Sequence, residues 1–250
     1  MVFFASCGGK YSANWVADPS KKLSIADDLF SRRKYSKAAA EYKDFLATFA
    51  GNEKSDYAQF KLAESYRLDK DYALAAVEYR ILINDYGYSD YVDDAFFLEA
   101  LCDFEQSPRA ELDQTKTYQA LDRVNRFLSL FPNSPRTKEA EALLERIYNK
   151  LGKKEFLNAK LYLSRHKYKA ALIYLDKIID LYPKTVWAAR SHYYKGFIME
   201  EKGYLKDAIA EYKSAANSKF DFKEKERAKS RIDALNMHQS SAEVDDVRPK

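Results

Sequence analysis

The sequence predicts an all-α chain, a solenoid of five helix hairpins carrying a long inserted helix and closed by a C-terminal capping helix. Three observations carry that prediction. The pattern in KYKAALIYLDKIIDLYPKT, Lys167 to Thr185, returns along nearly the whole chain at matched offsets. Each return centres on an alanine (Ala38, Ala75, Ala120, Ala171, Ala208), with Tyr42, Tyr79, Val124, Leu175 and Tyr212 four residues on and Phe45, Leu82, Phe127, Ile178 and Ala215 seven on. The chain has only seven Gly and six Pro, and no Gly/Ser-rich linker, which suits helices joined by short turns.

A small residue followed at the fourth and seventh positions by larger apolar ones puts all three on one helical face, with the alanine admitting a neighbouring helix. Each anchor therefore marks a packed second helix. Twelve residues before it stand Ala26, Ala63, Ala159 and Gly196, and nine before it Leu29, Tyr66, Tyr162 and Met199, which mark a first helix; turns fall around Lys34, Asp71, Lys167 and Gly203. A hairpin of this kind cannot bury its own apolar face and must stack on copies of itself. Twelve residues after the anchor, Pro132 and Pro183 stop two units and Gly87 stops a third.

The anchors are 37 residues apart from Ala38 to Ala75 and from Ala171 to Ala208, but 45 from Ala75 to Ala120 and 51 from Ala120 to Ala171. The two long intervals are insertions. QSPRAELDQTK, Gln106 to Lys116, separates Ala100 from Ala120 inside the third unit and reads as a loop. Asn133 to Gly152 opens with Ser134 and Pro135 and repeats Ala140, Leu143, Leu144 and Ile147 at helical spacing, so it reads as extra helix.

The ends differ in character. The fold is expected to begin near Lys22, after a polar tether over Gly9 to Ser20, so residues 1–21 form a leader and tether. Phe222 to Met237 is charged, with Ala228, Ile232 and Leu235 on one side, and reads as the capping helix; residues 238–250 have little to bury and read as a disordered tail. The solenoid thus spans 22–237. Hydrophobic residues make up 46% of the chain, ample for a core, and the formal charge of +4 is too small to imply nucleic acid. Cys102, in FFLEALCDFE, reads as a buried small hydrophobe.

A search for chemistry returns none. His166, His192 and His238 lack a helical-spacing ligand partner, and there is no CxxC, so no metal site is expected. Gly8-Gly9-Lys10 lacks the preceding strand of a phosphate loop, and no Ser stands in a GxSxG context. Asp27-Asp28 and Asp93-Asp94 read as acids in helix N-terminal halves, where the dipole suits them. The chain is read as a binding protein with neither enzymatic activity nor cofactor.

The small and aromatic residues at these offsets resemble the tetratricopeptide repeat, although 37 residues exceeds its usual ~34. That resemblance implies a right-handed superhelix. Five units, the closures Phe131-Pro132-Asn133-Ser134 and Tyr182-Pro183-Lys184-Thr185, and the long helix before the fourth unit resemble more narrowly the BamD family, lipoprotein subunits of the bacterial β-barrel assembly machinery. Cys7, after Phe4-Ala5-Ser6 and before Gly8-Gly9, resembles the lipobox of bacterial lipoproteins, in which the Cys is diacylated and becomes the mature N-terminus. Met1 to Ser6 carries neither the charged start nor the full apolar run of a complete signal peptide. Gly8 in place of an inner-membrane-retaining Asp favours, by resemblance, the outer membrane, with a lipid at Cys7 as the anchor on its periplasmic face. No run of the chain approaches the ~18 apolar residues of a spanning helix.

Stacked hairpins offer a surface lined by first helices. In the first three units the offsets place Leu23, Asp27, Phe30 and Ser31, then Phe60, Glu64, Arg67 and Leu68, then Phe97, Leu101, Phe104 and Glu105 on it. An aromatic lining with one cation, Arg67, suits an extended peptide with aromatic side chains whose terminal carboxylate pairs with Arg67. By the resemblance, the N-terminal half, about 22–132, receives unfolded barrel precursors by their C-terminal segments; the offsets make Leu23, Phe30, Phe60, Arg67, Leu68, Phe97 and Phe104 the candidate groove residues for them. By the same resemblance the C-terminal half, about 133–237, docks on a POTRA-domain core subunit similar to BamA; Trp187, Arg190, Tyr194, Glu200 and Lys202 are its candidate docking residues because Trp, Tyr and Arg are types enriched at binding hot spots, not because a family motif maps onto them. Two other readings stay open on the residues alone: a soluble repeat adaptor serving a chaperone, and a periplasmic accessory to the cell envelope.

Overall fold

The computed structural model describes residues 18–246, with side chains described through Met237. Among the described residues there are eleven helices and no strand: α1 (Pro19–Ser31), α2 (Tyr35–Thr48), α3 (Ser55–Leu68), α4 (Tyr72–Asp85), α5 (Val92–Gln106), α6 (Thr115–Leu130), α7 (Thr137–Leu163), α8 (Tyr168–Leu181), α9 (Val186–Glu201), α10 (Leu205–Ala216) and α11 (Lys225–Asp246). Two compact units divide inside α5, between Cys102 and Asp103.

In the first unit α1 packs on α2, α2 on α3 and α3 on α4. Ala26, Ala38, Ala39, Tyr42, Phe45, Ala58 and Leu62 form one buried cluster there, with Leu23, Leu29 and Phe30 half-buried against it. In the second unit α6, α7, α8, α9, α10 and α11 each contact the next, and α9 also touches α7 and α11. The expected close-approach residues are all buried: Ala26, Ala63, Ala100 and Ala159 on first helices, Ala38, Ala75, Ala120, Ala171 and Ala208 on second helices. Gly196 stands in the same position on α9 and is also buried. Their neighbours Phe45, Phe127 and Ile178 are wholly buried, each stabilising by about 1.5–3 kcal/mol relative to exposure. Cys102 is buried, as its apolar surroundings imply.

The hairpin turns share one backbone device. Five residues before four of the anchors, Arg33, Lys70, His166 and Gly203 have φ of 57°, 65°, 53° and 80°, the left-handed conformation that closes a helix. In the first of them Lys34 N–H donates to the Leu29 carbonyl and Arg33 N–H to that of Phe30, and the same pair of bonds recurs at Asp71 and Lys70, Lys167 and His166, and Tyr204 and Gly203. Four of the five second helices end on an aromatic residue, Phe49, Tyr86, Phe131 or Tyr182, whose N–H donates to the carbonyl of the buried residue four earlier, whereas α10 ends on Asn217.

Three boundaries differ from expectation. α1 begins at Pro19, ahead of Lys22, because the Asp18 side chain accepts from the Ser20 and Lys21 amides and Pro19 occupies a first-turn position, where its missing N–H costs nothing. The inserted helix is not separate: it runs without a break into the first helix of the fourth hairpin, and α7 carries Gly152 in its interior. α11 continues past Met237 to Asp246. Cys7 and the tether up to Ala17 lie outside the described residues.

Candidate functional site

On the first helices of the first unit, the expected lining residues divide by accessibility. Leu23, Phe30 and Leu68 are half-buried, whereas Phe60 is buried in a stack on Tyr91, with centroids 4.7 Å apart and planes 16° apart, and Phe97 is only 3% exposed. Phe30 is therefore the accessible aromatic of this set; the Lys61 ammonium lies 4.3 Å from its ring centroid and Tyr35 meets it edge-on at 5.5 Å. Arg67, with 23% of its side chain exposed, is held by Glu64 through two hydrogen bonds, Nε to Oε1 at 2.7 Å and a terminal nitrogen to Oε2 at 2.9 Å. That bond raises the guanidinium pKa further. Burial pushes the Glu64 carboxyl up, but the hydrogen bond and charge of Arg67 outweigh it and leave it below its ordinary value.

A pattern of buried tyrosines paired with acids accompanies these residues. The hydroxyls of Tyr42, Tyr79 and Tyr212, each four residues past an anchor, donate to Asp27, Glu64 and Glu200 on the preceding helix. Asp27 stands past the middle of α1 rather than in its N-terminal half, so tyrosine donors and not the helix dipole account for it. Tyr57 donates to the same Asp27 oxygen at 2.9 Å. Beside it opens a cleft of about 510 Å³, where Leu23, Tyr57 and Tyr91 meet Asp27, Asp56 and Asp90. The sequence reading missed this cleft because the residues between second and first helices fall outside the repeat offsets.

In the second unit Phe104 is buried, its ring faced by Arg146 Cζ at 4.6 Å and Lys150 Nζ at 4.4 Å. Trp187, Arg190 and Tyr194 come together around Phe156: the rings of Trp187 and Tyr194 lie 5.3 Å and 5.6 Å from it, and the Arg190 guanidinium 4.6 Å above it. Glu224 ties the cluster, accepting from Arg190 Nε at 3.0 Å and its terminal nitrogen at 2.6 Å, and from the Tyr194 hydroxyl at 3.0 Å. Burial pushes the Glu224 carboxyl up, but Arg190 overrides it and holds it below the ordinary value; burial first, then Glu224, pushes Tyr194 up to about 12. Glu200 and Lys202 belong to the other end of α9, where Glu200 accepts from Tyr212 at 2.8 Å and pairs with Arg231, and Lys202 is exposed. The five expected docking residues thus form two groups.

Among the described residues no group of three or more His, Cys, Asp or Glu is placed to hold a metal, and no helix is long and apolar enough to cross a membrane.

A family model described as outer membrane lipoprotein (YfiO) matches residues 17–204. The chain is 24% identical over 193 residues to the outer membrane protein assembly factor BamD of Rickettsia prowazekii (strain Madrid E), covering 77% of each. It is 28% identical over 184 residues to the protein of that name from Neisseria meningitidis serogroup B (strain ATCC BAA-335 / MC58), covering 68% of each. Among solved structures, a TPR repeats protein from Bacteroides fragilis NCTC 9343 superposes with a TM-score of 0.51 at 14% identity, over 88% of this chain and 99% of that one, which shows the tetratricopeptide-type fold.

Proposed function

Since the chain belongs to the outer membrane lipoprotein family YfiO, we propose that it is a non-enzymatic receptor and scaffold in the assembly of outer-membrane β-barrel proteins. The observation that carries this reading is the family match over residues 17–204, together with relatives named as outer membrane protein assembly factors. In this reading the protein is anchored through acylated Cys7 on the periplasmic face of the outer membrane. Two acyl chains give the stable attachment that one does not.

Unfolded barrel precursors engage the first helices of the first unit through their C-terminal segments, with Phe30, Leu23 and Leu68 offering accessible apolar surface, while Phe60 and Phe97 are buried and Arg67 is held by Glu64. The POTRA-domain core subunit engages the second unit through Trp187, Arg190 and Tyr194, residue types enriched where binding energy concentrates, with Glu200 and Lys202 at the far end of α9. Because α7 runs through Gly152, cutting the chain there would break a helix, and the division is better tested in the whole protein. A photo-crosslinker at position 30 is expected to capture the C-terminal segment of an unfolded barrel protein in outer membranes, and one at position 187 the POTRA-domain subunit. Capture of neither, or a Cys7→Ser protein that stays in the outer-membrane fraction behind a complete signal peptide, overturns the proposal.

A further inference from the structure

The loop inserted between α5 and α6 is not slack. Lys150 Nζ donates to the Ser107 hydroxyl at 2.5 Å, and Lys154 Nζ to the carbonyls of Glu111 at 2.9 Å and Leu112 at 3.2 Å. These bonds hold the loop against the middle of α7. With the first turn of α9 the loop and α7 enclose an open-sided cleft of about 630 Å³, a size that admits a small ligand or a short stretch of chain. Arg109, Lys150 and Lys153 line it, against a single carboxylate, Glu111, whose charge Lys153 meets at 3.3 Å. Among the described residues no carboxylate stands within 4.0 Å of the exposed Arg109 guanidinium. Val186 and the half-buried Trp187 supply the apolar lining.

We infer that this cleft is a peptide subsite that takes an aspartate or glutamate side chain next to an aromatic or branched apolar one, within an extended stretch of a partner polypeptide. Arg109, which shares the charge of Glu111 only at longer range, answers the carboxylate, and the indole answers its apolar neighbour. Neither suffices alone, since water screens an exposed ion pair and holding it in place costs side-chain freedom. An open side lets a chain pass through, which favours a side-chain carboxylate over a chain end. The inference rests on reading the protein as a polypeptide-binding assembly factor, but it adds a site outside the first-helix lining.

The test uses the full chain with Trp15→Phe, which leaves Trp187 as the single indole of the two in the sequence. The capped peptide acetyl-Gly-Glu-Phe-Gly-amide is titrated against Trp187 fluorescence. Saturable binding is expected, weakened about fivefold or more by Gln in place of the peptide's Glu and again by Arg109→Glu; circular dichroism verifies that the variant is folded. No binding at millimolar peptide, equal binding of the Gln peptide, an unchanged affinity in folded Arg109→Glu, or competition by inorganic phosphate as strong as by the peptide overturns it. Crosslinking of precursor at position 30 is read separately, so its failure would count against the proposed function and not against this cleft.

Discussion

Gly196 on α9 faces the Tyr212 ring on α10 so closely that a Cβ at position 196 would lie 2.9 Å from Cδ1 and 3.0 Å from Cε1. Tyr212 cannot readily yield, since its hydroxyl is tied to Glu200 at 2.8 Å and Tyr193 flanks its ring at 5.6 Å. Replacing Gly196 with alanine gains about 1 kcal/mol of helix propensity but overpacks the contact by about 1–3 kcal/mol. Gly196→Ala is therefore expected to lower Tm by a few degrees, at roughly 2–4 °C per kcal/mol for a chain of this size. A raised Tm would show that the ring moves aside.

Three of the hairpin turns place a side-chain-bearing residue in the left-handed conformation, at a cost of about 1–2 kcal/mol each. His166→Gly keeps the turn's hydrogen bonds and removes that strain. Offset in part by the greater freedom of glycine in the unfolded chain, it is expected to add about 0.5–1 kcal/mol. Calorimetry that finds no gain would mean that the histidine ring's 3.2 Å contact with the Tyr168 hydroxyl compensates.

Arg67 carries two demands. Removing it leaves the Glu64 carboxylate, 15% exposed, with only the Tyr79 hydroxyl as donor. Arg67→Ala is expected to cost about 1–3 kcal/mol, below the figure for a wholly buried pair because part of the charge reaches water. Denaturant titration checks it. Unchanged stability would mean that Glu64 does not depend on the guanidinium and leaves it available to a bound carboxylate.

Glu224, 5% exposed, titrates below its ordinary value in the folded protein because Arg190 outweighs burial. Its contribution is fully present above the unfolded carboxyl pKa of about 4.3 and is lost as pH falls through the lower folded value. Arg190→Gln is expected to destabilise at pH 7 and progressively less as pH falls, the gap beginning to close at a higher pH than the one at which native Glu224 titrates, because the stranded carboxylate, with burial no longer overridden by Arg190, takes up its proton earlier. A stability gap between the two proteins that stays constant from neutral to acid pH would show that the pair is electrostatically idle.

The hairpins were legible because close helix contact demands small residues at fixed offsets, and Ala26, Ala63, Ala159, Gly196 and the five anchors obey that demand. The turn device was hidden because Arg33, Lys70 and His166 occupy a conformation that residue type would assign to glycine; only Gly203 advertises it. The continuity of the inserted helix with the first helix of the fourth hairpin was hidden for a related reason: Gly152, where the inserted stretch was bounded, lies inside α7 and serves as room for Trp187, whose Cδ1 would lie 3.2 Å from a Cβ there. The offsets placed the proposed lining residues on first helices but could not tell which of them are exposed. Offsets cannot tell that Tyr91 covers Phe60 or that Glu64 occupies Arg67.

Asp27 has a consequence for how the first unit comes apart. One oxygen accepts from Tyr42 on α2, at 2.6 Å, and from Tyr57 on α3, at 2.9 Å. A terminal repeat contacts a neighbour on one side only and ordinarily frays first. Here, peeling α1 away would strand hydroxyls belonging to two hairpins, so α1 opens together with its neighbours. Amide protons of α1 and α3 should then exchange with solvent at a common rate, and Asp27→Leu should release α1 to exchange ahead of α3.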